Sequence, residues 1–254
     1  CLLSRGLGDV YKRQIKDKPK DGFERVVYAE EDKFNFYSVI AIHNTKRGPA
    51  LGGCRYFNYQ DFNKQEEDVL KLAEAMTYKN SLAELPFGGG KATIHSKINK
   101  KDAYSLFGEV LNKLNGIYIT AGDMGTVDED LRGFREYSDH VCNPIGSDSG
   151  LGTALGVYYS MLGCVEFKFG QDSLVNKNIF IKGYGKTGSR IASLCKKDGA
   201  NIEISDLEHK KDLIERDGYK FCSQLQDTSF EKIDIYSPCA VSYTHLRAHE
   251  TRGN

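Results

Sequence analysis

The string Gly183-Tyr184-Gly185-Lys186-Thr187-Gly188 most constrains the fold. It follows directly on the compact apolar run Asn178–Lys182 and opens a segment with Ile191, Ala192 and Cys195 at helical spacing. In such a strand–turn–helix the first glycine permits the tight turn and the second lets the backbone approach a pyrophosphate. The third lets helix and strand pack closely. The helix N-terminus adds free N–H groups and a partial positive charge. Asp206 ends the next apolar run, 200–205, 18 residues after Gly188. A carboxylate there can accept a hydrogen bond from a ribose 2′-hydroxyl and repels a 2′-phosphate, which favours NAD over NADP. A plain βαβ turn with a surface aspartate is the other reading of the same residues.

Strand, helix, strand, and a later strand over 233–236, predict a parallel sheet. A long helix over 151–169 precedes it, with Ala154, Tyr158, Met161, Leu162, Val165 and Phe169 on one face. Upstream the rhythm differs. Residues 37–44 (YSVIAIHN) read as a strand and 47–53 as a Gly/Pro turn. Asn63 and Glu66 resemble a capping box for a helix carrying Val69, Leu72, Ala73 and Met76 on one face. Ala103, Leu106, Phe107, Val110, Leu111 and Leu114 mark a second amphipathic helix, with Gly116 placed to end it. A short strand covers 117–120, and Thr126 with Glu129 would cap a further helix.

The change near residue 150 predicts a boundary between an α/β domain over 15–150 and a Rossmann-type, doubly wound NAD-binding domain over 151–241. Residues 1–14 and 242–254 match neither pattern. They resemble translated adaptor read-through and are set aside, ragged termini being the alternative. Their removal takes away five basic and two acidic residues and leaves the remainder mildly acidic. The whole chain has no net charge, which gives no reason to expect a nucleic-acid or membrane partner. No apolar run approaches the roughly 18–20 residues that span a bilayer, and no segment reads as a signal peptide. Cys54, Cys142, Cys164, Cys195, Cys222 and Cys239 are scattered without a CxxC pair, which argues against a zinc site. Cys164 and Cys195 fall on apolar helix faces, and free thiols in a chain of this size suggest the cytoplasm.

Three ionisable residues stand out. Lys79 follows Met76 by three positions on an apolar helix face, where it is expensive to bury unless it meets an anion. A helix already ended would instead let it snorkel. Lys91 follows Gly88, Gly89 and Gly90, whose missing side chains let something come close, or form a flexible hinge with a solvated lysine. Asp123 stands at a strand exit, which also suits an ordinary turn aspartate.

Taken in order, GPALGGCR (48–55), MTYKN (76–80), LPFGGGK (85–91), ITAGDMGT (119–126), GYGKTG (183–188) and SPCA (237–240) resemble the glutamate/leucine/phenylalanine/valine dehydrogenase family over about 23–240. The resemblance is closest to leucine dehydrogenases. It implies oxidative deamination of an L-amino acid to a 2-oxo acid and ammonia with NAD. Lys79 would then bind the substrate carboxylate, Lys91 would be the catalytic lysine of lowered pKa, and Asp123 would exchange a proton with the amine. Gly52 and Gly53 would lie against the substrate. Thr153 would lie near the nicotinamide, and Gly183, Tyr184, Gly185, Lys186, Thr187, Gly188 and Asp206 would hold the cofactor. Glutamate dehydrogenases carry a lysine where Leu51 stands, so Leu51 and Ala121 imply an apolar pocket for a branched-chain or aromatic side chain. A phenylalanine-type enzyme and a non-catalytic nucleotide-binding homologue are the alternatives.

Gly122, Thr93 and the stretch 149–153 depart from the family pattern. Family chains continue well beyond the SPCA string and form homo-oligomers. The resemblance therefore implies that 15–150 is the substrate domain and that the NAD-binding domain over 151–241 is incomplete. It implies a truncated chain, inactive alone, lacking one wall of its substrate pocket.

Overall fold

The computed structural model describes residues 14–142 and 149–240. The segments 1–13 and 242–254, set aside above, lie outside the described residues, and Gln14 begins the first strand. The described residues divide into two compact units, 14–142 and 149–240.

In the first unit the strands are β1 (Gln14–Asp17), β2 (Arg25–Glu31), β3 (Phe36–Asn44), β4 (Ala50–Phe57), β5 (Gly88–His95) and β6 (Tyr118–Gly122). The helices are α1 (Phe62–Leu82), α2 (Lys100–Lys113) and α3 (Asp128–Arg135). The sheet order is β1-β2-β3-β5-β4-β6, with β4 parallel to both of its neighbours. Both faces of the central strands are covered, which is why β3 reads as a near-continuous apolar run. Ile40 and Ile42 face a core with Phe107, Leu111 and Phe134, while Val39 and Ala41 face Val69 and Ala73 of α1. Each fully buried Val, Leu, Ile or Phe among them contributes about 1.5–3 kcal/mol.

The second unit contains α4 (Ser149–Phe169), β7 (Asn178–Lys182), α5 (Gly188–Lys197), β8 (Asn201–Ser205), α6 (Lys211–Arg216), β9 (Lys220–Phe221) and β10 (Ile235–Pro238). Its sheet, β10-β7-β8-β9, is parallel throughout. Ala154, Met161 and Val165 of α4 pack with Ile191, Ala192 and Cys195 of α5 and Ile179 and Ile181 of β7. This is the open parallel α/β arrangement expected from the strand–helix rhythm.

Several local expectations are corrected. The turn placed over 47–53 ends earlier, because Ala50 already pairs with Gly88 and Tyr118 in β4. Glycines within 50–53 mark close strand packing there, not a bend. The cap of α1 is Asp61, whose carboxylate accepts from Lys64 N at 2.8 Å, not Asn63. The cap of α3 lies one residue later than expected, with Asp130 accepting from Val127 N at 2.8 Å. Cys195 is buried as expected, but Cys164 is exposed.

Candidate active site and nucleotide loop

Strand alternation brings the first group of residues together. Ala50, Cys54 and Ala92 face the core beneath the sheet, so Leu51, Gly53, Arg55 and Lys91 lie on the opposite face. The β4–β5 register pairs Leu51 with Gly89 and Cys54 with Ala92, which sets Gly53 beside Lys91. On its other side Gly53 pairs with Ala121 of β6, two residues before Asp123. A Cβ on Gly53 would stand 2.8 Å from Asp123 Cβ and 2.5 Å from Gly122 O. Its absence leaves the lane through which Lys91 reaches across: Lys91 Nζ lies 3.0 Å from Asp123 Oδ1.

Asp123 serves two cations. Its Oδ2 accepts from Arg55 Nε at 2.8 Å, and the Arg55 guanidinium also grips Asp68 at 2.8 and 3.1 Å. Tyr59 hydroxyl donates to Asp68 at 2.7 Å. The Thr126 hydroxyl donates to Cys54 O at 2.6 Å and accepts from Asp123 N at 2.8 Å, tying the Asp123 backbone to β4. Lys91 is only 5% exposed, and burial pulls its pKa below the usual lysine range. The Asp123 carboxylate works against that shift, and Arg55, a second cation, adds to it. For Asp123, burial opposes ionisation, but Lys91 and Arg55 outweigh it and hold the carboxyl below its ordinary range. A buried amine that holds its proton less tightly than a free lysine, set against an ionised carboxylate, is an arrangement suited to proton transfer.

The three glycines before Lys91 are strand, not hinge. A Cβ on Gly89 would sit 2.1 Å from Thr77 N, so what comes close there is α1 itself. Gly88 similarly admits Asn44 O, and a Cβ on Gly52 would collide with Gly90 O. Lys79, in the last turn of α1, is exposed and has no acidic partner among the described residues. The buried face passes instead through Asn80, whose amide donates to Gly88 O at 2.6 Å and Leu51 O at 3.3 Å. That clamp fixes the end of α1, and with it Lys79, beside β4 and β5. Thr93 accepts from Gln65 Nε2 at 3.1 Å, so this departure from the family pattern is a contact between α1 and β5. Leu51 and Ala121 are half-buried, and Gly122 is exposed.

In the second unit the three loop glycines meet different surroundings. Gly183 has φ +104°, and a Cβ there would strike Ala240 N at 2.6 Å. A Cβ on Gly188 would fall 1.9 Å from Gly183 O. Around Gly185 there is nothing within 4 Å, so its backbone stands open. Turn, close packing and open approach thus fall on the first, third and second glycine, as a pyrophosphate cradle needs. Tyr184 is buried, with its hydroxyl on Asp217 at 2.8 Å, while Lys186 is exposed and Thr187 leads into α5. Asp206 Oδ2 accepts from Tyr184 N at 2.5 Å and Oδ1 from Leu207 N at 2.7 Å. Thr153 is exposed on α4.

Arg55, Asp68 and Tyr59 were not singled out from the sequence. Arg55 ends the GPALGGCR string, and strand alternation from Leu51 and Gly53 would have put it on the Lys91 face. Reading 47–53 as a turn concealed that alternation.

Residues 24–139 match the family model described as Glu/Leu/Phe/Val dehydrogenase, dimerisation domain. A phenylalanine dehydrogenase of Thermoactinomyces intermedius is 37% identical over 230 residues, 86% of this chain and 63% of that protein. A leucine dehydrogenase of Bacillus subtilis (strain 168) is 35% identical over 241 residues, 91% of this chain and 66% of that protein. The chain thus spans just under two thirds of these relatives' lengths. Among solved structures, the L-tryptophan dehydrogenase from Nostoc punctiforme superposes with a TM-score of 0.65 at 27% identity, covering 86% of this chain and 64% of that one.

Proposed function

This chain belongs to the Glu/Leu/Phe/Val dehydrogenase family, and from that premise we propose that it supplies the catalytic groups of an NAD-dependent dehydrogenase for apolar L-amino acids. The reaction takes an L-amino acid, NAD and water to a 2-oxo acid, ammonium, NADH and a proton. The observation that carries the proposal is the Lys91–Asp123 contact on one sheet face, with Asp123 held between Lys91 and Arg55.

Lys79 would hold the substrate carboxylate at the rim of that face. Asp123 takes a proton from the substrate amine, so that the nitrogen lone pair can drive departure of hydride from Cα. A bound nicotinamide would accept that hydride. Lys91, as the free amine, then draws a proton from the water that attacks the imine carbon. Asp123 gives its proton to the departing nitrogen and takes up the hydroxyl proton as the C–N bond breaks and the carbonyl forms. Arg55 keeps the Asp123 carboxylate aimed while Asp68 and Tyr59 hold Arg55. Gly53 keeps the floor of the site free of a side chain, and the Gly52 backbone continues that floor beside it. Gly183, Tyr184, Gly185, Lys186, Thr187, Gly188 and Asp206 would hold the dinucleotide, with Thr153 toward the nicotinamide. The relatives' names divide between leucine and phenylalanine as substrate. Leu51 and Ala121 suit either apolar side chain, and the branched-chain one is the substrate we put forward. The dimerisation-domain match supports a homo-oligomer, and free thiols suit the cytoplasm.

The test is a substrate panel on the full-length protein. Leucine, valine or isoleucine should give the highest kcat/KM, and faster turnover of glutamate would overturn the apolar pocket. Leu51→Lys should raise kcat/KM for glutamate by about tenfold or more and lower it for leucine, because a buried carboxylate gains a charge-assisted partner. The glycine loop gives a second check. Gly185→Ala should melt like the parent yet bind NADH at least about tenfold more weakly, since its added carbon fills only open space. Gly188→Ala, forced onto Gly183 O, should instead lower stability by about 2 kcal/mol.

A further inference from the structure

The carboxylate expected to reject a 2′-phosphate has a cation beside it. Lys210, just ahead of α6, turns back toward the glycine loop. Its ammonium donates to Tyr184 O at 3.0 Å and lies 3.7 Å from Asp206 Oδ2. It therefore stands between the loop backbone next to the open Gly185 position and the carboxylate that would receive the ribose. Both Asp206 oxygens already accept a backbone N–H, from Tyr184 and Leu207, so the carboxylate cannot swing away from the ammonium. Only 14% of the Asp206 side chain is exposed, against 30% of Lys210, so the cation is the more accessible member of the pair. His209 and Lys211 flank Lys210 and are exposed.

A lone Asp206 would meet a 2′-phosphate with unscreened like charge. Here the ammonium offsets that charge and offers three donors on a flexible stem, which suits a phosphate as a point charge. The remaining lone pairs of Asp206 still accept a ribose 2′-hydroxyl. We propose that Lys210 is a specificity-determining residue that opens the nucleotide pocket to 2′-phosphorylated dinucleotides, so that this chain accepts NADPH as well as NADH. The inference rests on the dinucleotide reading of the 183–188 loop and adds the discrimination between its two ligands.

The experiment measures binding of NADH and NADPH separately to the 254-residue chain by calorimetry, with thermal melting of each variant alongside. The parent should bind NADPH within about tenfold of NADH. Lys210→Gln should widen the gap at least about tenfold further, the scale of one charge-assisted hydrogen bond to phosphate. Lys210→Arg should keep it narrow. The parent's NADPH affinity should also fall more steeply with added salt than its NADH affinity. An unmoved ratio in a folded Lys210→Gln variant overturns the proposal. So does a parent that binds NADH but rejects NADPH more than about a thousandfold, and in both cases the loop reading survives. Binding of neither dinucleotide by the parent removes the loop reading and this proposal with it.

Discussion

Replacing Lys91 with methionine is expected to lower kcat for leucine oxidation about ten-thousand-fold while the protein stays folded. Methionine matches the length of the lysine stem, and Asp123 keeps Arg55 as its counter-ion at 2.8 Å. The buried ammonium is itself a burden on the fold, so its removal is expected to leave the melting temperature unchanged or raised. The sign of the pH effect follows from the direction of the shift. The unfolded chain holds the lysine proton up to about pH 10.5, and the folded chain releases it earlier. Between the folded value and pH 10.5 the unfolded state binds more protons, so Lys91 makes stability rise with pH in that window. The methionine variant should lack that rise, and denaturation midpoints across the window measure it. In the parent, the rising limb of kcat/KM against pH should fall below 10.5, where the free amine becomes available. A methionine variant that keeps turnover within about tenfold would take Lys91 out of the proton path.

The second large effect is expected from a single carbon. Gly53→Ala should cut kcat/KM at least about a hundredfold, because reacting groups displaced by about 1 Å lose rate on that scale. The added Cβ would lie 2.5 Å from Gly122 O and 2.8 Å from Asp123 Cβ, and both neighbours are anchored. Gly122 belongs to β6, and Asp123 is tied through Thr126 to Cys54 O. Relief therefore requires the β6 end to move away from β4, which separates Asp123 from Lys91. A stability loss of about 1–3 kcal/mol should accompany the change. Unaltered kinetics in this variant would mean that the Lys91–Asp123 contact is not needed for turnover.

The second unit was the more legible in the sequence, because its chemistry and its fold share one string. The 183–188 glycines follow a strand predicted at its observed bounds, and Asp206 falls where the next strand ends. In the first unit the glycines misled. Gly52 and Gly53 suggested a turn, and Gly88 to Gly90 left close approach and a flexible hinge both open, but each is glycine because a neighbouring strand or helix presses on it. Periodicity cannot distinguish a glycine that bends the chain from one that admits another element, since neither carries a side chain. That ambiguity hid β4 and β5, and with them the face that joins Arg55 to Lys91 and Asp123. Lys79 shows the reverse. A count of three from Met76 placed it on the buried stripe, whereas the stripe runs by four to Asn80 and leaves the lysine exposed. What periodicity took for a buried charge is a cation available to a ligand.

The most direct measurement is the stoichiometry of the reaction. L-leucine and NAD are incubated with the full-length protein, and NADH, ammonia and the 2-oxo acid are quantified together. Oxidative deamination through Lys91 and Asp123 requires the three products in equal amounts, and none from the Lys91→Met variant. NADH without matching ammonia, or equal product from that variant, would contradict it.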